Sequence, residues 1–134
     1  MVSGSCLCRA VKYEIDGRIS PIALCHCSKC RKANGSAFHA GALCRQRRFR
    51  WLRGEESIAR FRTPSGYETH FCRTCGSPVP VFHPNGEYVG LPAGALDQDP
   101  GSRPVHHFFV GSKAAWFDIA DGLPQFEEHA PPSE

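Results

Sequence analysis

The fold of this chain depends on a cysteine motif at residues 72–76, Cys72-Arg73-Thr74-Cys75-Gly76. Two cysteines at this spacing supply two corners of a tetrahedral zinc site from one turn, and a glycine after them permits a positive φ beside the metal. The other two corners require a second pair elsewhere in the sequence. Cys6 and Cys8, near the opposite end of the chain, provide that pair. The four thiolates predict a closed zinc site, which is typical of a structural metal.

A third group of cysteines lies between these two pairs, at Cys25, Cys27 and Cys30. Three thiolates this close together can reach one metal ion, and they leave one of the four zinc corners without a cysteine. An open corner is typical of catalytic zinc, because water or a substrate can occupy it. The middle group therefore indicates a second zinc site with a different role from the first.

Four other side chains are alternatives for the open corner of this middle site: His26, His39, His70 and Cys44. A single cysteine such as Cys44 is more typical of a small buried hydrophobic residue than of a ligand. The alternative for the whole middle group is a reduced, metal-free thiol cluster that loads zinc only weakly. His106 and His107 are adjacent on a predicted strand and point to opposite faces, so at most one of them can serve a given site.

The cellular compartment decides whether eight cysteines indicate disulfides or metal sites. The first eight residues are polar and lack the basic and apolar regions of a secretory signal. The chain has no run of about 18 apolar residues that could span a membrane. We expect a reducing, cytoplasmic location, where clustered cysteines indicate metal binding or catalysis rather than disulfides. Iron–sulfur ligation is disfavoured, because the CxC spacing differs from the CxxCxxC runs of ferredoxins.

Short alternating segments between turn signals predict a mainly β fold. In residues 10–15, Val11, Tyr13 and Ile15 alternate with polar neighbours, as expected for a half-buried strand. Five more segments have a similar pattern, at residues 38–43, 57–62, 67–71, 88–91 and 105–110. The 13 glycines and 11 prolines interrupt any long helical periodicity, so we expect few or no long helices and one helical turn at residues 28–33. A length of 134 residues fits a single domain.

A weak charge and a cluster of arginines set limits on the binding partners. The formal net charge is only +3, less than a dense basic face would give a nucleic-acid-binding protein. Five arginines lie close together: Arg45, Arg47, Arg48, Arg50 and Arg53. They could bind carboxylates or phosphates, but their alternation with Phe49 and Trp51 is explained by a solvated strand face with both aromatic rings turned inward. We therefore expect no specific nucleic-acid partner.

The order of the cysteine motifs, CxC, then CxCxxC, then CxxCG, resembles that of the glutathione-dependent formaldehyde-activating enzyme family, which is related to centromere protein V. The similarity extends over nearly the whole chain. The matching stretches are residues 25–32, 35–38, 71–78 and 93–97, together with Lys113 and Trp116. These motifs are highly specific for the family and less specific for one reaction.

This resemblance implies a single-domain, zinc-stabilised β-tent fold of short antiparallel strands over residues 1–126. We expect the polar remainder, residues 127–134, to form a frayed tail. The resemblance implies a structural zinc at Cys6, Cys8, Cys72 and Cys75. It also implies a second, labile zinc at the catalytic residues Cys25, Cys27 and Cys30.

The activity that the resemblance implies is that of a carbon–sulfur lyase of the S-hydroxymethylglutathione synthase type. Such an enzyme joins a small thiol, here glutathione, to an aldehyde such as formaldehyde, or reverses that addition. The alternative is a zinc-stabilised binding or carrier module without turnover. The number of zinc ions distinguishes them, because a module needs one tightly held zinc and the enzyme needs a second metal at an open site.

Overall fold

A computed structural model describes residues 1–129 of the chain. Residues 130–134, the larger part of the predicted frayed tail, lie outside the described residues. One short helix, α1 (Ser28–Asn34), follows the third strand. The strands in chain order are β1 (Val2–Ser5), β2 (Lys12–Ile15), β3 (Ile22–Cys25), β4 (His39–Arg45), β5 (Phe49–Arg53), β6 (Ile58–Arg62), β7 (Glu68–Cys72), β8 (Val81–Phe82), β9 (Tyr88–Pro92) and β10 (Pro104–Phe108).

The strands form three small sheets. Strands β1, β2 and β5 make one sheet, β10, β3, β4, β9 and β8 make the largest, and β6 and β7 form a hairpin. The predicted mainly β fold of short antiparallel strands is confirmed, with one exception: β10 lies parallel to β3. The exception has a topological reason, because β10 follows β3 after a long crossover, and only a tight hairpin connection forces antiparallel pairing.

The main core lies between the first two sheets, and its centre comes from alternating positions on β2, β4 and β9. The fully buried side chains there include Tyr13 and Ile15 of β2 and Val89 and Leu91 of β9. A second, smaller cluster surrounds Cys6 and Cys72 together with Val11 and Val79. The cysteine pairs from the two ends of the sequence therefore lie at the centre of a small core of their own.

Two structural details bear on the predictions from the sequence. The strand predicted at residues 105–110 ends at Phe108, because Phe109 adopts a left-handed backbone with a φ of 55°. Phe49 and Trp51 of β5 pack against the core, while Arg50 and Arg53 of the same strand are exposed, as expected for a solvated strand face. Arg45, Arg47 and Arg48 are also exposed, but they lie at the end of β4 and in the short helical turn before β5, so they are not part of that face. No helix among residues 1–129 is long and apolar enough to cross a membrane.

Candidate metal centres

The structure brings Cys6, Cys8, Cys72 and Cys75 together at one point, with their Sγ atoms all within 4.8 Å of one another. Cys6 and Cys8 follow β1, while Cys72 ends β7 and Cys75 lies in the turn after it. The Sγ atoms of Cys6 and Cys8 are 3.6 Å apart, and those of Cys8 and Cys72 are 3.8 Å apart. A tetrahedron with zinc–sulfur bonds of 2.3 Å has edges of about 3.8 Å. The donor set and its spacing therefore fit a zinc ion.

The two loops that carry these cysteines stabilise thiolates through local hydrogen bonds. In each loop a residue with positive φ follows the cysteine turn: Arg9 with a φ of 66° in the first and Gly76 with a φ of 78° in the second. The N–H of Val11 donates to Cys6 Sγ at 3.3 Å. Hydrogen bonding with Ser77, whose hydroxyl lies 3.2 Å from Cys75 Sγ, lowers the pKa of that thiol to about 5. The turn after β7 thus favours an anionic sulfur at Cys75 before any metal is bound. At Cys8, in contrast, a backbone hydrogen bond from Ala10 is outweighed by desolvation and by hydrogen bonds with the other three cysteines, which together raise the pKa of that thiol to about 11.

The second cluster consists of Cys25, Cys27 and Cys30, whose Sγ atoms also lie within 4.8 Å of one another. Cys25 ends β3, Cys27 caps the start of α1, and Cys30 lies in the first turn of the helix. The N–H of Cys30 donates to Cys27 Sγ at 3.3 Å. The turn that begins the helix is therefore also the turn that assembles the three thiols.

The proton distribution in this cluster favours a thiolate at Cys25. A hydrogen bond from the Cys30 thiol lowers the pKa of Cys25 to about 6. The same hydrogen bond, together with burial, raises the pKa of Cys30, which keeps the shared proton. At neutral pH the metal-free cluster thus already contains one ionised sulfur, the form that binds metals.

None of the four alternatives for the open corner joins this cluster. Among the described residues, no histidine, carboxylate or further cysteine shares a metal-sized site with the three thiols. Cys44 lies in the main core, where burial raises its pKa to about 11. His70 pairs with Glu68 at 3.3 Å. The nearest described partner of Cys30 Sγ beyond the cluster is the hydroxyl of Tyr67, at 3.6 Å.

His26 belongs to a buried hydrogen-bond chain instead. Its Nε2 lies 2.7 Å from Nδ1 of His107, and Nε2 of His107 lies 3.0 Å from a carboxylate oxygen of Asp121. The hydrogen bond from His107 lowers the pKa of Asp121, which is therefore ionised and can only accept. His107 therefore donates to Asp121 from Nε2, and its Nδ1 shares a hydrogen bond with Nε2 of His26. His106 and His107 are adjacent on β10, and only His107 takes part in these hydrogen bonds. This agrees with the prediction that adjacent strand residues point to opposite faces.

The other ring nitrogen of His26, Nδ1, is buried with no hydrogen-bond partner among the described residues. Burial, followed by the neighbouring His107, lowers the pKa of His26, so its ring stays neutral. The hydrogen bonds from His26 through His107 to Asp121 connect the Cys25–Cys27 turn to the segment after residue 112. The turn is thereby attached to two distant parts of the molecule.

A cavity of about 270 Å³ opens beside the second cluster. Cys30 and Tyr67 form part of its wall, and Val79, Val81 and Leu91 supply apolar surface. The sequence predictions did not include Tyr67 or Asp121. Neither belongs to a cysteine motif, and their positions depend on contacts between residues far apart in the chain.

These features define a small, mainly β protein with one closed and one open cysteine cluster able to hold metal ions. Comparison with known proteins agrees with this description. The chain belongs to the glutathione-dependent formaldehyde-activating enzyme family, whose model matches residues 1–112.

Two individual proteins illustrate the similarity. A Schizosaccharomyces pombe protein named as an uncharacterised lyase is 29% identical over 84 residues, which cover 63% of this chain and 59% of that protein. The crystal structure of a Rhodobacter sphaeroides protein has a TM-score of 0.58 and 25% identity, covering 77% of this chain and 99% of the other. The chain thus spans 59% of the length of the curated relative and nearly the whole length of the solved structure.

Proposed function

We propose that this protein is a zinc-dependent carbon–sulfur lyase that adds a small thiol, glutathione in the first instance, to an aldehyde such as formaldehyde, or reverses that addition. The family membership and the lyase-named relative support this general class. The observation that carries the proposal is the second cluster, where three thiols share a site with no fourth protein ligand among the described residues.

In this proposal Cys6, Cys8, Cys72 and Cys75 hold a structural zinc, and Cys25, Cys27 and Cys30 hold a labile or catalytic one. A zinc ion with an open corner supplies Lewis acidity and lowers the pKa of a bound thiol. The three cysteines fix the position of the open corner, because β3 and the start of α1 hold their backbones. The cavity that Cys30 lines provides space for a reactant beside the cluster.

The proposed reaction is balanced without any further reagent. The thiol gives up its proton, its sulfur forms a bond to the aldehyde carbon, and the π electrons of the carbonyl move to oxygen. The oxygen then takes up one proton, which balances the proton lost by the thiol. The reverse reaction breaks the carbon–sulfur bond and returns the proton. Tyr67 is the described side chain suited to donate a hydrogen bond to this oxygen, because burial raises the pKa of its hydroxyl and keeps it protonated at neutral pH.

Metal content and activity, measured together, test the proposal. We expect two zinc ions per chain in the wild type and one in Cys27→Ser, a change that keeps an oxygen to cap α1. The variant should remain folded and lose the acceleration of glutathione–formaldehyde exchange above the uncatalysed background, measured by NMR. Cys44→Ala is the matched control, since this buried cysteine lies outside both clusters; it should keep two zinc ions.

Two results would contradict the proposal. One is a wild type that holds a single zinc under every loading condition, which would favour the non-catalytic zinc module. The other is a Cys27→Ser variant that fails to fold, because the second site would then be structural.

A further inference from the structure

The cavity beside Cys30 is far larger than formaldehyde requires. Formaldehyde has two heavy atoms and occupies roughly the space of two water molecules, at about 30 Å³ each in the liquid. The cavity measures about 270 Å³, near the lower end of the range for small-molecule binding sites, about 300–1,000 Å³. Formaldehyde alone would leave most of this space unfilled.

The walls of the cavity suit an uncharged carbon chain. Side chains such as Val79, Val81 and Leu91 make most of its surface apolar. None of the described residues that line it is a lysine or an arginine, and its one carboxylate, Glu68, pairs with His70 at 3.3 Å. Glutathione carries two carboxylates, which would find no lysine or arginine in this cavity and would approach Glu68. Two histidines also line it, but His70 already pairs with Glu68, and burial lowers the pKa of His39. The charged body of the thiol therefore belongs elsewhere.

The position of the cavity connects it to the carbonyl carbon. Tyr67 and Cys30 line it together, and the Tyr67 hydroxyl lies 3.6 Å from Cys30 Sγ. An aldehyde whose oxygen accepts from Tyr67 beside the thiol cluster can direct its substituent between α1, β7 and β9 into the cavity. Tyr67 at one end and apolar walls beyond it match the two ends of an aliphatic aldehyde.

We propose that this cavity binds the carbon chain of the carbonyl substrate, so that the protein acts on medium-length aliphatic aldehydes in preference to short ones. The inference rests on the proposed function, and it adds the substrate class. The chemistry is the same addition of sulfur to the carbonyl carbon with protonation of the oxygen.

The first test compares propanal with hexanal, each with glutathione and the zinc-loaded protein. The two aldehydes have the same reactive group and differ only in methylene groups. Because each buried methylene group contributes about 0.8 kcal/mol, kcat/KM should rise about fourfold per methylene group. A value that stays flat or falls from propanal to hexanal would overturn the inference.

A pair of alanine variants tests the location of the site. Ala33 is an exposed residue of α1 that lines the cavity, so Ala33→Leu should fill part of it. We expect the hexanal-to-propanal ratio of kcat/KM to fall at least about tenfold. Ala115→Leu is the same substitution at an exposed alanine that does not line the cavity, and it should leave the ratio unchanged. Equal ratios in the two variants would place the subsite elsewhere.

Binding of 1-hexanol supplies a measurement that does not depend on turnover. In the zinc-loaded protein, hexanol should shift the amide NMR signals of Thr69 and Leu91, whereas methanol should not, and Ala33→Leu should weaken the effect. If hexanol shifts neither signal while glutathione–formaldehyde exchange is still accelerated, the inference is wrong and the proposed function stands. If the zinc-loaded protein accelerates no aldehyde reaction, the proposed function fails, and the substrate subsite fails with it.

Discussion

At the scale of single residues, Tyr67 illustrates how one contact between distant residues adds to a site that local motifs assemble. Its hydroxyl lies 3.6 Å from Cys30 Sγ, and the two residues are separated by 37 positions in the sequence. In the proposed reaction the phenol donates a hydrogen bond to the developing oxyanion. Hydrogen bonds of this kind strengthen as negative charge develops in the transition state.

The first prediction concerns this hydroxyl. Tyr67→Phe keeps the ring and removes the donor, so the rate of the thiol–aldehyde reaction should fall by about 100-fold, the low end of the range for a positioned proton donor. The zinc content should not change. Tyr88→Phe, a change of the same kind at a half-buried tyrosine on β9, should leave the rate unaffected. NMR exchange measurements on both variants decide the question, and equal rates would remove Tyr67 from the reaction.

The second prediction at this scale concerns the backbone. Gly54 has a φ of 80°, and a Cβ there would overlap the carbonyl oxygen of Ala10. Gly54→Ala should destabilise the fold by about 1–2 kcal/mol from left-handed strain and by about 1–3 kcal/mol more from overpacking. Gly86 has nearly the same φ, 77°, with open space around it. Gly86→Ala should therefore lose only the stability that corresponds to left-handed backbone strain. If denaturant unfolding gives the same loss in the free energy of unfolding for both variants, the overlap with Ala10 in Gly54→Ala is relieved by a local shift.

The sequence could predict the cysteines of both clusters but not the side chains around them. Cys25, Cys27 and Cys30 come together because they share one turn, a property of spacing alone. Tyr67 reaches them from the loop between β6 and β7, and Asp121 acts through His107, which is 81 positions from His26. Such contacts are set by the packing of whole elements, and no local pattern carries that information.

At the scale of elements, α1 is too short to be stable by itself. An isolated helix of fewer than about 12–15 residues is marginal in water, and α1 has seven. Its start depends on the Cys27 cap, and the guanidinium of Arg31 donates to the carbonyl oxygen of Ser112 at 3.1 Å. The helix that carries Cys30 is therefore held by the Cys25–Cys27 turn on one side and by the segment after β10 on the other.

The segment after residue 112, beyond the family match, also supports the second cluster through Asp121. The carboxylate accepts from His107 and from the N–H of Leu123, and the chain of bonds ends at His26 between two of the cysteines. The third prediction is that Asp121→Ala leaves His107 without this acceptor and lets the Cys25–Cys27 turn move. We expect the affinity of the second site for zinc to fall about tenfold, as when outer partners of metal sites are removed.

Chelator competition on the folded protein measures this effect, because it reports the two sites separately. The affinity of the four-cysteine site should not change. Asp118→Ala removes an exposed carboxylate from the same segment and serves as the matched control. An equal loss of zinc affinity in both variants would mean that charge in the segment matters and that the hydrogen-bond chain does not.

The strands also differ in how well the sequence alone predicts them. Strand β2 alternates between polar and buried apolar residues, so its pattern appears in the sequence. Strand β1, with the sequence Val-Ser-Gly-Ser, has little β propensity and becomes a strand by pairing with β2. Strand β3 has only three apolar residues before it ends at Cys25, too short a run to predict a strand from its own sequence. Pairing partners, which create β1 and β3, are not visible in a local window.

At the scale of the whole molecule, the four-cysteine cluster joins parts of the chain that the sheets join only weakly. Cys8 and Cys72 are separated by 64 positions, and the hairpin of β6 and β7 belongs to neither of the larger sheets. The local core is small, with Val11 and Val79 as its buried aliphatic residues. A metal ion at this point would connect the start of β2 to the end of β7.

The last prediction follows from this arrangement. In small domains a structural zinc contributes on the order of 10 kcal/mol, comparable with the whole stability of a typical domain, about 5–15 kcal/mol. Cys6→Ser removes a buried ligand at the centre of the smaller core and should abolish the cooperative thermal transition. Cys27→Ser, which affects only the open cluster, should melt cooperatively close to the wild type. Circular dichroism melting curves with zinc content measured on the same samples test the contrast. A near-wild-type melt for Cys6→Ser would show that the protein folds without the closed site, and the division between a structural and a functional metal centre would then be wrong.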